Sequence, residues 1–540
     1  MRVLAPARRG LPHWPGTSLP AGLVPATVRL RDRLVARVGP DGAVRDPCRS
    51  RVLETALTLA LLDRTGREPA ARGRLAAYLA AHRDSPDALD RLLARAALSG
   101  PTATTGPLGV EDFVARAPDF TGPRKRALLH AVLLLLGAAP TARLPDREPL
   151  SHQGLHPWAR VQVTAVAAIL AHAYGETAAI QRPDLDLLRS TQRAGTVWEG
   201  NLLIHLSVLH ALAPLPGQHR LVSQGIRTAL EHQRADGGLP FICDEDTWLT
   251  ATAGVALHAA AAPAPAVDAV ARRLARIQRP GGGWSFTDTA RLADVDCTSV
   301  AVEVLHLASP GTHRTPIRHA LGALHRLRGE DGGFPTYLAG APSEAGMTAA
   351  AINALSTQDP GRDATADTAL GYLASQQRPD GSFPPDWSSS RLHTVFRASL
   401  AASRHPGRTT PGGPAQRVVR RAVALVENSQ NADGGWGQQD GDASDPLSTA
   451  YALITLSTQS TPGPAARGAA YLLAQQRPDG SIPSLPDSIG PRPFGFAVPA
   501  LADVFALLAL GHLTRRLAPA PHDRGRATTP PPQGASAGRR

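Results

Sequence analysis

Gln278-Arg-Pro-Gly-Gly-Gly-Trp284 is one copy of a seven-residue frame that recurs through the second half of the chain. The frame reads QRAGTVW at Gln192–Trp198, QRADGGL from Gln233, QRPDGSF at Gln377–Phe383, QNADGGW at Gln430–Trp436 and QRPDGSI from Gln476. RGEDGGF at Arg328–Phe334 keeps it with Arg in place of Gln. An aromatic or apolar residue always closes the frame after a small, Gly-containing step, and successive copies start 41, 45, 50, 49, 53 and 46 residues apart. Self-similarity at such a period marks stacked helical units that bury a continuous core. Aromatics are only 4% of the chain, so their return to one slot carries structural information.

Each copy ends a helical pattern. Ile317, Leu321, Leu324 and Leu327 share one helix face, as do Val419, Val423 and Val426. The glycines then stop the helix, because Gly accepts the left-handed backbone that follows a helix end. A second helix begins after a short loop: TATAGVAL from Thr250, TSVAVEVL from Thr298, MTAAAINAL from Met347, VFRASLAA from Val395, STAYALITL from Ser448 and ADVFALLAL from Ala502. These are apolar nearly all round and belong inside, with the amphipathic set outside. The expected fold is all-α, a pair of α/α toroids. Six inner helices lie between Asp246 and His512 but only five outer helices separate them. The isolated segment Ala26–Val38 is expected to supply the sixth. The expected organisation is an extension over 1–25, that helix within 26–44 packed on the second barrel, a smaller first barrel over 45–240, the second barrel over 241–515, and a disordered tail over 516–540. The frame itself reads as structural bracing between neighbouring units.

Composition narrows the function. The net charge is +12, but residues 1–10 carry three Arg and no acid, and residues 515–540 carry six Arg against one Asp. The body is therefore only mildly basic, which argues against a nucleic-acid partner. Cys48, Cys243 and Cys297 are too few and scattered for a disulfide framework or a CxxC zinc site. A reducing cytoplasm fits them. The N-terminus has Arg but no apolar h-region, and no apolar run reaches the length of a membrane span. Peripheral membrane contact stays open.

The most chemically loaded stretch is Gly282–Leu305, GGWSFTDTARLADVDCTSVAVEVL. Asp294 and Asp296 stand two apart just before an inner helix. Carboxylates held together at the mouth of an apolar barrel disfavour double ionisation, so one keeps its proton. A neutral carboxylic acid in a dry pocket is what protonating an alkene requires. Acids also cap helix N-termini, and on spacing alone capping is the better fit.

The stretch resembles the catalytic segment of squalene–hopene cyclases and bacterial class II diterpene cyclases, where a Gly-Gly-aromatic-x-Phe element leads into Asp-x-Asp-Asp-Thr-Ala. The Gln-to-Trp frames are similar to the repeats of those cyclases and of oxidosqualene cyclases, well over residues 190–510 and only in general character over 45–190. The resemblance implies a class II terpene cyclase that protonates an isoprenoid alkene. It implies Asp296 as proton donor, Asp294 as the acid that keeps it reactive, and Thr298 as the Thr that follows. Cys297 departs from the third Asp, and Asp-Cys-Thr is similar to oxidosqualene cyclases. A thiol is a weak donor that would support Asp296 less than a charged partner; it also suits a small core residue.

The carbocation that follows needs guidance and dryness, and aromatic faces supply both. Trp284, Phe286, Phe334, Tyr337, Phe383 and Trp387 are the candidates for lining the substrate pocket. The segments from Gly332 and Asp386 resemble those of cyclases that act on geranylgeranyl or farnesyl diphosphate, so a C15 or C20 prenyl diphosphate, retained in the product, is preferred to squalene or its epoxide. The chemistry then needs no cofactor, with Mg²⁺ a candidate aid to diphosphate binding. The sequence has no DDxxD motif. Asp244-Glu245-Asp246 reads as a helix cap rather than a metal site. A protein prenyltransferase β subunit, the rival toroid enzyme, would need an Asp-x-Cys zinc spacing that is missing here. A non-catalytic toroid scaffold is the reading of another class.

Overall fold

The computed structural model describes Trp14 and residues 20–99, 121–138, 150–357, 364–459 and 461–517. Most of the expected N-terminal extension, and the expected tail beyond Leu517, lie outside the described residues. The inner helices are Asp246–Ala259, Val295–Ala308, Ala345–Leu355, Leu392–Arg404, Pro446–Leu456 and Ala500–Leu517. Each packs on the next, and the first packs on the last, closing a ring. Apolarity on every side puts them there: all residues of Ala345–Leu355 and of Pro446–Leu456 are buried. The outer helices bury one stripe each, as Ala264–Ile277 does with Val267, Val270, Ala271, Arg273 and Leu274.

The turn after each outer helix joins the layers. In the 278–284 turn, Gln278 Nε2 donates to Gly282 O (2.7 Å) and to Pro316 O in the following outer helix (2.8 Å). Gly282 has φ +94°, and a Cβ there would lie 2.4 Å from His319 O, so only glycine lets the turn press against that backbone. Trp284 is buried, and its Nε1 donates to Leu274 O (2.9 Å) at the end of the preceding outer helix. Gln377 and Gln430 repeat the two-carbonyl clamp on Val418 and Pro464.

The same clamp identifies the sixth outer helix. Gln476 Nε2 donates to Gly480 O (3.1 Å) and to Ala26 O (3.3 Å). Ala26 lies in the helix Leu23–Ala36, which packs on the first and last inner helices and on the outer helix Ala465–Ala474. It buries Leu23, Ala26, Thr27, Leu30 and Leu34, and Arg33 pairs with Asp503 at 3.1 Å. The turn that follows is a further copy of the frame, unrecognised in the sequence because valines replace both its Gln and its aromatic. Val38-Gly-Pro-Asp-Gly-Ala-Val44 makes the Gly39 N→Ala43 O bond (2.9 Å) that Arg279 N makes to Gly283 O (3.0 Å). Gly42, φ +84°, presses on Ala269 O as Gly282 presses on His319 O.

The first barrel is built around Val52–Thr65, Gly122–Leu135, Pro157–Ala173 and Leu202–Leu212, each packed on two of the others. A short antiparallel pair, Ser50–Arg51 with Leu239–Pro240, joins the two ends of the first barrel's chain. Arg51 is buried across the seam, where Nη1 donates to Gly490 O (2.8 Å) while the guanidinium lies 4.4 Å above the Phe241 ring. The last inner helix runs two residues past the expected end at 515. Arg516 is buried rather than part of a loose tail, with its guanidinium 4.6 Å from the Trp14 ring centre. No helix among the described residues is long and apolar enough to cross a membrane.

Because Leu30 and Leu34 are fully buried in the seam that closes the ring, truncating either to Ala should cost about 2–5 kcal/mol. Val28→Ala, on the exposed face of the same helix, should change stability by less than about 0.5 kcal/mol. Urea denaturation of the three variants checks this. Equal, small losses for all three would show that the helix does not complete the barrel.

Candidate active site

A cavity of about 530 Å³ opens between the barrels. The first barrel contributes Arg124, Lys125, His156, Trp158 and Ile204; the second contributes Glu245, Trp248, Phe286, Asp294, Asp296, Cys297, Tyr337, Trp387, His393, Tyr451 and Arg492. Such a volume suits a ligand of drug-like size.

The two aspartates do different work. Asp294 caps the inner helix Val295–Ala308: its Oδ1 accepts from Cys297 N at 2.7 Å. Burial, and then the charge of Asp296, push Asp294 up to about 7. Asp296 stands in the first turn of that helix and meets Arg397 Nη1 through Oδ1 at 2.5 Å. Arg397 comes from the inner helix Leu392–Arg404 and is only 5% exposed. Arg397 is thus a buried charged partner of Asp296. Burial, Asp294 and Asp296 drive the Cys297 thiol well above its ordinary range, which keeps it a neutral thiol.

Thr298 is a brace rather than part of the site. Its Oγ1 accepts from Trp284 N at 3.1 Å, just as Thr348 accepts from Phe334 N and Thr449 from Trp436 N. The aromatic candidates divide in the same way. Trp284, Phe334 and Phe383 are buried in the closing slot of the frame and do not line the cavity, because that slot faces the layer between inner and outer helices. Phe286, Tyr337 and Trp387 do line it. They form a wall with Trp158, whose ring centre lies 5.5 Å from Phe286 and 5.3 Å from Tyr337, and Tyr337 lies 6.0 Å from Trp387. Edge-to-face rings in this arrangement present π-faces to a cation.

Sequence reasoning missed the other charged pole. Burial, and then Arg124 and Arg492, pull Lys125 down to about 7, so these three cations are neighbours. Burial, Arg124 and Lys125 likewise hold His156 at about 4, a neutral imidazole. Arg492 is 4.2 Å above the Trp387 ring and donates to Glu344 Oε2 at 2.6 Å. Lys125 and Arg124 have no hydrogen-bond or ion-pair partner among the described residues. Arg397 had one legible signal, a charge inside an otherwise apolar inner helix. Arg124 and Lys125 had none, because the first barrel's repeats are degenerate.

The cavity thus holds Asp294, Asp296 and Glu245 with Arg397 behind Asp296, a wall of rings, and the cations Arg124, Lys125 and Arg492. The chain is 41% identical to a drimenyl diphosphate synthase of Streptantibioticus cattleyicolor, over 92% of this chain and 96% of that protein. It is 38% identical to a drimenyl diphosphate synthase of Streptomyces showdoensis, over 96% and 98%. The chain belongs to the class II terpene cyclases. Family models agree: that of the squalene-hopene cyclase C-terminal domain matches residues 339–515, and that of the prenyltransferase alpha-alpha toroid domain matches 206–384. The fold of this cyclase is that of ent-copalyl diphosphate synthase from Streptomyces platensis, with a TM-score of 0.58 at 18% identity, covering 92% of this chain and all of that one.

In this cyclase Arg397 is the buried ion-pair partner of Asp296. Replacing Arg397 with Gln should lower kcat on the order of 10²-fold and, by leaving a buried carboxyl unpaired, cost about 3–5 kcal/mol of stability. Steady-state kinetics and urea denaturation measure the two. A variant with unchanged kcat would remove Arg397 from the acid's support.

Proposed function

We propose that the chain cyclises farnesyl diphosphate to a bicyclic, drimane-type diphosphate, with Asp296 as the acid and the diphosphate retained. The observation that carries this is the separation of poles. Arg492 lies 4.2 Å above the Trp387 ring, the rings of Trp387, Tyr337, Trp158 and Phe286 follow one another at 5.3–6.0 Å, and Phe286 O accepts from Thr247 N and Trp248 N beside Glu245. A prenyl diphosphate has the same polarity: an anionic head, an apolar body and a terminal alkene. The likeness to two drimenyl diphosphate synthases along nearly their whole length supports a C15 substrate over a C20 one.

In this reading Arg124, Lys125 and Arg492 hold the head, since Arg guanidinium and Lys ammonium match phosphate oxygens by charge and hydrogen bonding. The tail folds along Trp158, Phe286, Tyr337 and Trp387. Arg397 occupies Asp296 Oδ1, which leaves Oδ2 to carry the proton. Transfer of that proton to the terminal alkene makes a tertiary cation, the inner alkenes close two rings onto it, and loss of a proton ends the reaction. The rings steady positive charge by about 0.5–2 kcal/mol each and keep water out. Among the described residues the head does not fit a protein-held Mg²⁺: the carboxylate there, Glu344, is engaged by Arg492 and by Thr336 Oγ1 (2.5 Å). Three cations carry the charge instead.

Incubation of the purified enzyme with farnesyl and geranylgeranyl diphosphates, with and without Mg²⁺, tests the reading. Mass spectrometry before and after phosphatase treatment should show a cyclic C15 product that keeps its diphosphate, absent with Asp296→Asn. A product lacking the diphosphate, or one formed equally well by the variant, would sink it. The head site makes a second forecast. Lys125 is protonated below about 7 and neutral above it, so its help to an anion fades as pH rises from 6 to 8. Calorimetry with inorganic pyrophosphate should show weaker binding at pH 8 relative to Lys125→Arg, whose charge does not titrate. Parallel curves for the two proteins would exclude Lys125 from the site.

A further inference from the structure

The acidic segment Asp244-Glu245-Asp246 takes no part in the cyclisation just described. It begins the inner helix Asp246–Ala259, which packs beside Val295–Ala308, so neighbouring helix starts bring their acids together. Glu245 lines the cavity with Asp294 and Asp296. Its Oε2 is buried and has no hydrogen-bond partner among the described residues. Leaving such an oxygen ionised and unpaired is the costly state, and a neutral carboxylic acid is the cheaper one. Burial, and then Asp296, Asp294 and Asp244, push Glu245 up to about 8, so it holds a proton at neutral pH.

Behind Glu245 the acids continue outward. Thr287 Oγ1 lies 2.5 Å from Asp244 Oδ1 and 3.1 Å from Asp246 Oδ1. Burial, with the charges of Asp244 and Asp288, holds Asp246 at about 7, so it takes up a proton near neutral pH. Asp246 also meets Arg273 at 3.5 Å, and Arg273 pairs with Asp288, whose side chain is 39% exposed. The row therefore runs from the active cavity toward solvent.

Each turnover strips Asp296 of its proton and leaves a carboxylate paired with Arg397. While an isoprenoid fills the cavity, water has no direct route to Asp296. We propose that Glu245 recharges the acid, passing its proton to the Asp296 carboxylate after each cyclisation and regaining one from the Asp244–Asp246 pair. One O–H bond breaks on Glu245 and one forms on Asp296; solvent water returns a proton to the pair, and the proton lost by the product cation goes to water, so no net proton is consumed. Glu245 is thus a proton-return residue that need not touch substrate, and it rests on the cyclase reading above.

The test compares the full-length wild-type enzyme with Glu245→Gln, which keeps the shape but carries no transferable carboxylic proton. Infrared spectroscopy at neutral pH needs no substrate, so it separates this inference from the reading of the substrate. The carbonyl band of a protonated carboxylic acid should be present in wild type and reduced in the variant. Rapid-quench assays with farnesyl diphosphate should then show a first turnover at the wild-type rate and later turnovers at least tenfold slower. A merely structural role would slow both alike. The idea is overturned by an unchanged carbonyl band, by equal slowing of first and later turnovers, or by later turnovers as fast as wild type. Wild type that leaves farnesyl diphosphate unchanged strikes at the substrate instead, and the infrared band then decides the proton-return role alone.

Discussion

The closeness of the turn to the next helix is the constraint on which the rest of the molecule depends. At Gly282 the turn lies within a Cβ's reach of His319 O, and at Gly42 within reach of Ala269 O. A left-handed residue without a side chain is the one solution that lets the layers meet there. The Gln clamp then satisfies a carbonyl in its own turn and one in the following outer helix, two buried acceptors that would otherwise be costly. Since each unit leans on its neighbour, a missing outer helix would leave Gln476 with only the carbonyl of its own turn and uncover the outer side of the inner helix Ala500–Leu517. The N-terminal helix fills that place. The barrel's first and last elements are thereby bound to each other, and the acid helix sits in a closed ring rather than an open stack.

Within that ring the chemistry rests on a balance of charge. Asp296 is held by one buried cation, Arg397, against the nearby carboxyls of Asp294 and Glu245. Burial penalises every charge in this group, and the system lowers the penalty by keeping some acids neutral. Asp294 spends its oxygen on the helix start, where it accepts from the Cys297 backbone N–H. Arg397 supplies the charged support that Cys297 lacks.

The fold was largely legible in the sequence because its signals are local. The frame's glycines, the clamp's Gln and the all-apolar inner helices each report on a few residues at fixed spacing. The same locality explains the misses. The 38–44 turn keeps the backbone geometry while losing both marker side chains, so a search by residue type passes over it. In the site, Asp294 and Asp296 were visible as a pair, but which of them caps and which meets Arg397 depends on a helix about a hundred residues away. Arg124, Lys125 and Trp158 reach the cavity from the other barrel, and no spacing within a sequence encodes that meeting. The frame aromatics misled for a related reason: Trp284 and Phe334 look like pocket residues only until the slot they fill is known.

The repeat also explains why the acid stands where it does. The residue that hydrogen-bonds back to the closing position of the frame is Asp294 in one unit, Glu344 in the next and Asp445 in a later one. Two residues on come Asp296, Gly346 and Leu447, and four residues before the Thr250 brace, Asp246 takes the Asp294 place, with Trp248 in that of Asp296. Trp248 and Asp296 both line the cavity. This register is an inward-facing slot that every unit possesses, free of bracing duty. Gly346 leaves it empty because Asp386 Oδ2 packs 3.0 Å from where a Cβ would stand. A carboxyl in that slot inherits a helix start at its back, a ring of apolar helices around it and the facing barrel as a lid. The repeat thus builds the surroundings of Asp296 for structural reasons.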